Sequence, residues 1–174
     1  MMGIQSLLAE KKAELMKEWR NGIIASYPKD SQSFLKKGKS QFANPVGFVI
    51  TNEIESLYNE FVKEDGDLEK ITACLENIIR IRAVQDFKPS QAVSFVMELK
   101  ELVRGVLGED HSAVLKDFDS RMDQMTLLAF DIYSKCRQRL FEIRVNEVKH
   151  QVGRLLERAN LISEIPEYAP DLKK

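Results

Sequence analysis

The stretch 110-DHSAVLKDFDSRMDQMTLLAFDIYSKCRQRLFEIRVNEVKHQVGRLLERAN-160 decides the fold. It contains no proline. Within it Phe118, Met122, Met125, Ala129, Ile132 and Cys136 recur at alternating steps of four and three. Side chains at those steps share one face of an α-helix, and the alternation is heptad-like. Leu140, Ile143, Val148, Val152 and Leu155 carry apolar spacing onward, less regularly. The stretch predicts one very long helix, or two helices with a bend for which Gly153 is the weak point. An exposed heptad seam also predicts a homodimer. Phe118, Met122, Met125, Ala129 and Ile132 are therefore the candidate partner interface.

Working toward the N-terminus, the same periodicity recurs between clear stop signals. Val93, Phe95, Val96, Leu99, Leu102, Val103 and Val106 mark a helix that ends near Leu107, with Gly108 as its stop. Phe87-Lys88-Pro89-Ser90 is a break. Before it, Leu68, Ile71, Cys74, Leu75, Ile78, Ile79 and Ala83 form a stripe that Asp67 can cap. Asn44-Pro45 opens an earlier helix, an N-cap followed by a proline that fits the first turn. Its buried face is Phe48, Val49, Ile54, Leu57, Tyr58 and Phe61. A short helix near Ser31 to Lys37 leads into the polar connector Lys36-Lys37-Gly38-Lys39. The first helix runs from Ile4 to about Ser26, with Leu7, Leu8, Leu15, Trp19, Ile23 and Ile24 on its stripe. Tyr27-Pro28 ends it, because the residue before proline avoids the helical region. No strand or internal repeat signal appears. The fold class is all-α: a bundle of five or six helices with a long C-terminal helix, in one domain over residues 1–174 and with a loose tail from about 163.

Composition narrows the function. Hydrophobic residues make up 44% and charged residues 30%, enough for a core and a solvated exterior. Lys plus Arg number 26 and Asp plus Glu 27, a net charge of −1, so no global field draws the chain to nucleic acid or anionic lipid. In the last helix Lys135, Arg137, Arg139, Arg144, Lys149, Arg154 and Arg158 are interrupted by Glu142, Glu147 and Glu157. That pattern fits a salt-bridged face or a helix partner better than a nucleic-acid stripe. The N-terminal segment has no unbroken apolar core of the signal-peptide kind. No apolar run of about 18 residues exists to span a membrane. Cys74 and Cys136 sit among apolar residues, outside any ligand-spaced cluster, which suits reduced core thiols in a cytoplasmic compartment.

Motifs for catalysis are missing: no GxGxxG, P-loop, GxSxG, HExxH or calcium loop. The chain is expected not to be an enzyme, and no cofactor or metal site is assigned. His111 stands at a helix start, and His150 is followed by Gln151, Val152 and Gly153, a poor context for a phosphoacceptor. Either histidine would have to serve as axial ligand if the bundle held heme. Glu53, Glu55 and Glu60 are expected on a solvated helix face. Arg80 and Arg82, just before Val84-Gln85-Asp86-Phe87, are candidates either to lock the connection by hydrogen bonds or to bind an anion.

Several segments together carry a resemblance. They are Trp19 in the first helix, Phe42-Ala43-Asn44-Pro45-Val46-Gly47, and Ile81-Arg82-Ala83-Val84-Gln85-Asp86-Phe87 leading to Pro89-Ser90-Gln91-Ala92-Val93, then Phe95-Val96 and Leu99-Lys100. From roughly Leu7 to Leu156 the chain resembles the N-terminal domain of RsbRD-type proteins, bacterial stressosome co-antagonists. The same domain type occurs ahead of sensor kinase cores. The resemblance implies a helical sensory input domain, similar to a globin lacking heme, that passes a signal through its last helix to protein partners. No sulfate-transporter/anti-sigma-type domain or kinase core follows here, so a stand-alone sensor or adaptor is expected. The alternative function is a sensor holding heme or another apolar molecule inside the bundle.

Overall fold

The computed structural model describes residues 4–36, 42–63, 65–108 and 112–159. Its helices are α1 (Ile4–Ala25), α2 (Lys29–Lys36), α3 (Pro45–Val62), α4 (Leu68–Ala83), α5 (Pro89–Leu107) and α6 (Ser112–Arg158). No strand occurs among the described residues. The all-α bundle and the long final helix are as the periodicity predicts. Gly153 lies within α6, so the helix does not end there. Of the Lys36-Lys37-Gly38-Lys39 connector, Lys36 ends α2 and Lys37, Gly38 and Lys39 lie outside the described residues.

The ends of the helices follow local chemistry. Asn44 is fully buried, and its side-chain oxygen accepts the Gly47 backbone N–H at 2.8 Å. Its amide nitrogen donates to the carbonyls of Leu35 at 2.9 Å and Phe34 at 3.3 Å. One side chain thus caps α3 and fixes the end of α2. Gly47 is needed for this. A Cβ there would stand 2.2 Å from Asn44 Nδ2. Asp67 Oδ1 accepts from the backbone N–H of Glu69 and Lys70 and starts α4. At the start of α5 the Gln91 side chain reaches back to the Lys88 N–H at 3.1 Å. Gly108 closes α5 with φ +66°, a conformation that favours glycine.

Two compact units divide the chain, Met1–Cys136 and Arg137–Lys174. The first holds the core. There α1 packs against α5 and α3, and α4 packs against α3 and α5. Trp19, Ile23, Ile54, Leu57, Leu75, Ile78, Phe95 and Leu99 are wholly withdrawn from water. Each large apolar side chain buried this way contributes about 1.5–3 kcal/mol. Trp19 Nε1 donates to the Phe95 carbonyl at 2.7 Å, so its one polar atom is satisfied where α1 crosses α5. Tyr58 Oη donates to the Leu8 carbonyl at 2.8 Å and joins α3 to α1. Leu68 departs from its expected stripe. It is the first residue of α4 and is exposed, because the stripe turns inward only from Ile71. The second unit contains the remainder of α6, with Phe141, Ile143, Val148, Val152 and Leu155 exposed.

Asn44→Ala removes the α3 cap and leaves the Gly47 N–H without its partner. It is expected to destabilise the fold by about 2 kcal/mol in urea unfolding. Gly47→Ala should cost at least as much, since the added methyl displaces the same cap.

Candidate functional site

The apolar seam of α6 lies inside the chain's own core. Phe118, Met122, Ala129 and Ile132 are buried and Met125 packs against the same cluster. Polar side chains reinforce that attachment. Lys100 pairs with Asp123, Arg104 grips Asp119 through two nitrogens, and Tyr133 Oη donates to the Phe87 carbonyl at 3.2 Å. The Arg104 guanidinium holds the Asp119 carboxyl below its ordinary range. The candidate interface residues are thus spent within the monomer. Heptad spacing shows that a helix face is covered, and here the covering helices belong to the same chain.

The two candidate arginines part company. Arg80 is exposed. Arg82 is 0% exposed, a guanidinium enclosed by protein. Its Nε donates to the Ala92 carbonyl at 3.0 Å, and Nη2 donates to the Gln91 carbonyl at 2.7 Å and Ser26 Oγ at 3.1 Å. The faces of Phe87, Tyr27 and Phe95 lie 4.3, 5.4 and 5.8 Å from its central carbon. Arg82 therefore locks the end of α4 to the first turn of α5 and to the end of α1. Burial lowers its pKa, offset by Tyr27 and Glu98 nearby. The lock also shapes a cavity of about 560 Å³ beside the connection from α4 to α5.

The acidic residues are not all on a solvated face. Glu60 is buried. Its carboxylate accepts from Lys63 Nζ at 2.7 Å and the Asp67 N–H at 3.1 Å, pinning the turn between α3 and α4. Those bonds hold its carboxyl below the usual range. Glu53 and Glu55 instead make exposed contacts with Asn77 and Lys12. Glu98 faces a groove of about 720 Å³ between α1 and α5, beside Glu14, Glu18 and Glu101 over Leu102 and Val106. Its Oε2 is buried without a partner, and burial pushes its carboxyl above the ordinary value.

The remaining candidates offer little chemistry. Cys74 and Cys136 are free thiols, and burial pushes the Cys74 thiol up to about 12. His150 is exposed on α6, and His111 lies outside the described residues. No cluster of His, Cys, Asp and Glu suited to a metal occurs among the described residues. None of the described helices is long and apolar enough to cross a membrane.

Exposed apolar side chains occur along α6, at Leu127 and Phe130 in its earlier part and in a row on its later part. Phe141, Val148, Val152 and Leu155 follow at steps of seven, four and three, which align them on one helical face. Phe141 is 67% exposed and Leu155 63%. Charges of both signs flank the stripe, among them Arg144, Lys149 and Arg154 with Glu142 and Glu147.

Comparison with known proteins places most of the chain in one family. The family model described as the RsbT co-antagonist protein rsbRD N-terminal domain matches residues 13–148. An uncharacterized protein of Archaeoglobus fulgidus is 23% identical over 141 residues, covering 78% of this chain and 83% of its own. No solved structure matches.

Two outcomes test the reading of this region. Arg82→Ala should cost about 3 kcal/mol in urea unfolding, while Arg80→Ala should stay within about 0.5 kcal/mol. For Glu98 the folded-state pKa lies above the unfolded one. Its contribution to stability is present at low pH and is lost as pH rises through the folded value. Glu98→Gln should therefore raise the melting temperature at pH ~7 and leave it unchanged below about pH 4, where the carboxyl is protonated in both states.

Proposed function

Because the chain belongs to the RsbRD N-terminal domain family, we propose that it is a signalling input or adaptor module that works without catalysis, by binding protein partners through α6. One observation carries this reading: the Phe141–Leu155 stripe is apolar, helically aligned and exposed, whereas the earlier seam is buried. Apolar side chains aligned along one helix gain about 25 cal/mol for each Å² they withdraw from water on association. A second copy of the same helix supplies a self-complementary face, so a homodimer is the simplest assembly. Flanking charges of both signs then set register and partner choice. A signal reaches the partner when the core and the start of α6 settle into one of two packings with different affinity. The free thiols and the lack of a membrane-crossing helix among the described residues support a reducing, cytoplasmic setting.

Sedimentation across a concentration series tests the assembly. The wild-type chain is expected to dimerise. Val148→Glu with Leu155→Glu should weaken that association at least tenfold, with helix content unchanged because neither side chain enters the core. A double variant that associates as tightly as wild type would remove the stripe from the reading.

A further inference from the structure

The groove between α1 and α5 combines an apolar floor with carboxylates on both walls. Leu102 and Val106 pack against the core below it, and Met97 stays 39% exposed. Methionine adapts its shape to an incoming surface. Gly105 lies inside α5 at an exposed position, and a Cβ added there would meet nothing within 4 Å. Glycine weakens a helix interior, and no packing inside the chain offsets that cost here. What it leaves is room for another backbone to come close.

The walls carry one sign of charge. Glu14 and Glu18 stand one turn apart on α1, and Glu98 and Glu101 stand three residues apart on α5. Like charges at these spacings repel along each helix. No lysine or arginine lines the groove among the described residues. Lys11 takes Glu14 at 3.1 Å and Arg104 reaches Glu101 at 3.5 Å, in exposed pairs that contribute little. The Glu98 carboxylate lies over Gly22, where a Cβ would stand 2.8 Å from Oε2. Its Oε1 accepts from Ser94 Oγ at 3.4 Å, while Oε2 has no hydrogen-bond partner. The charge of Arg82 attracts Glu98, yet burial outweighs it and keeps the carboxyl above its ordinary value. A cation entering the groove meets a negative field from both sides, and a nucleic acid or an anionic lipid surface is repelled.

The shape favours a helix over a small molecule. Ser94 to Val106 spans about 18 Å at 1.5 Å per residue, a little over three turns. Amphipathic helices lay their apolar face into grooves of this kind. We infer that the α1–α5 groove docks one helix of a partner protein, a helix whose apolar face is edged by Lys and Arg. That apolar face covers Met97, Leu102 and Val106. Its cations meet Glu14 and Glu18 on one flank and Glu98 and Glu101 on the other. The floor supplies affinity, and the carboxylates set orientation and turn away acidic partners. The groove shares no residue with the exposed stripe on α6, so the inference goes beyond that reading and does not rest on it.

The test is fluorescence polarisation with the full chain and a labelled peptide of ~14 residues, Leu on one helical face and Lys on the other. It should bind saturably. Two control peptides, with Glu for every Lys or Ser for every Leu, should bind at least tenfold more weakly. Glu18→Gln with Glu98→Gln should weaken binding about tenfold. So should Gly105→Lys, which sets a cation in the groove. Lysine forms helix better than glycine, so that variant should melt no lower than wild type. Glu76→Gln, the same charge change on the exposed surface of α4, should leave binding unchanged. Val148→Glu with Leu155→Glu should not weaken it. The inference fails if the peptide does not bind, if the groove variants bind it as tightly as wild type, or if only the α6 variant loses it. A peptide of residues 137–158 of this chain that binds the groove as tightly as the probe would assign it to a second copy, and so overturn the partner inferred here.

Discussion

The buried guanidinium of Arg82 is the constraint around which the first unit is arranged. Taking such a group out of water costs several kcal/mol unless its hydrogens are met. Carbonyls of the first turn of α5, the Ser26 hydroxyl and three aromatic faces meet most of them. Because the guanidinium is planar and rigid, those partners must hold fixed positions. The end of α1, the connection after α4 and the start of α5 are thereby placed together. Phe87 is held under the guanidinium, and its carbonyl receives Tyr133 of α6. The attachment of the last helix thus rests partly on one arginine in α4.

Much of this was legible from local sequence, and the part that was not is non-local. Asn44-Pro45, Asp67 and Gly108 mark helix ends because caps act within three residues of themselves, and all three do so here. Apolar stripes were legible for the same reason. What covers a stripe was not: the Phe118–Ile132 spacing is the same whether the facing helices belong to this chain or to another. Glu60 looked solvated on its own helix, but the turn before α4 folds back onto it. For Arg82 the sequence pointed to a lock near the helix end. The Ser26 partner lies 56 residues away, and no spacing rule reaches that far. Tyr27 carried no local signal as a cavity wall.

The division between a spent seam and an exposed stripe on one helix gives the functional reading its physical content. Residues up to Cys136 belong to the core-bearing unit, and among the described residues from Arg137 onward Phe141, Ile143, Val148, Val152 and Leu155 are exposed. A helix with one part fixed by packing and another open to partners can report on the first through the second. The energy available is modest, because differential packing must exceed only a few kcal/mol to move a population. Signalling by this route requires a partner surface and two packings.

Amide hydrogen exchange along α6, recorded at several protein concentrations, tests that claim most directly. Amides between residues 118 and 133 should be protected to the same degree throughout, as part of the monomer core. Those between 141 and 155 should gain protection as concentration rises and the stripe is covered. Protection there that is independent of concentration, with or without added partner, would contradict the account.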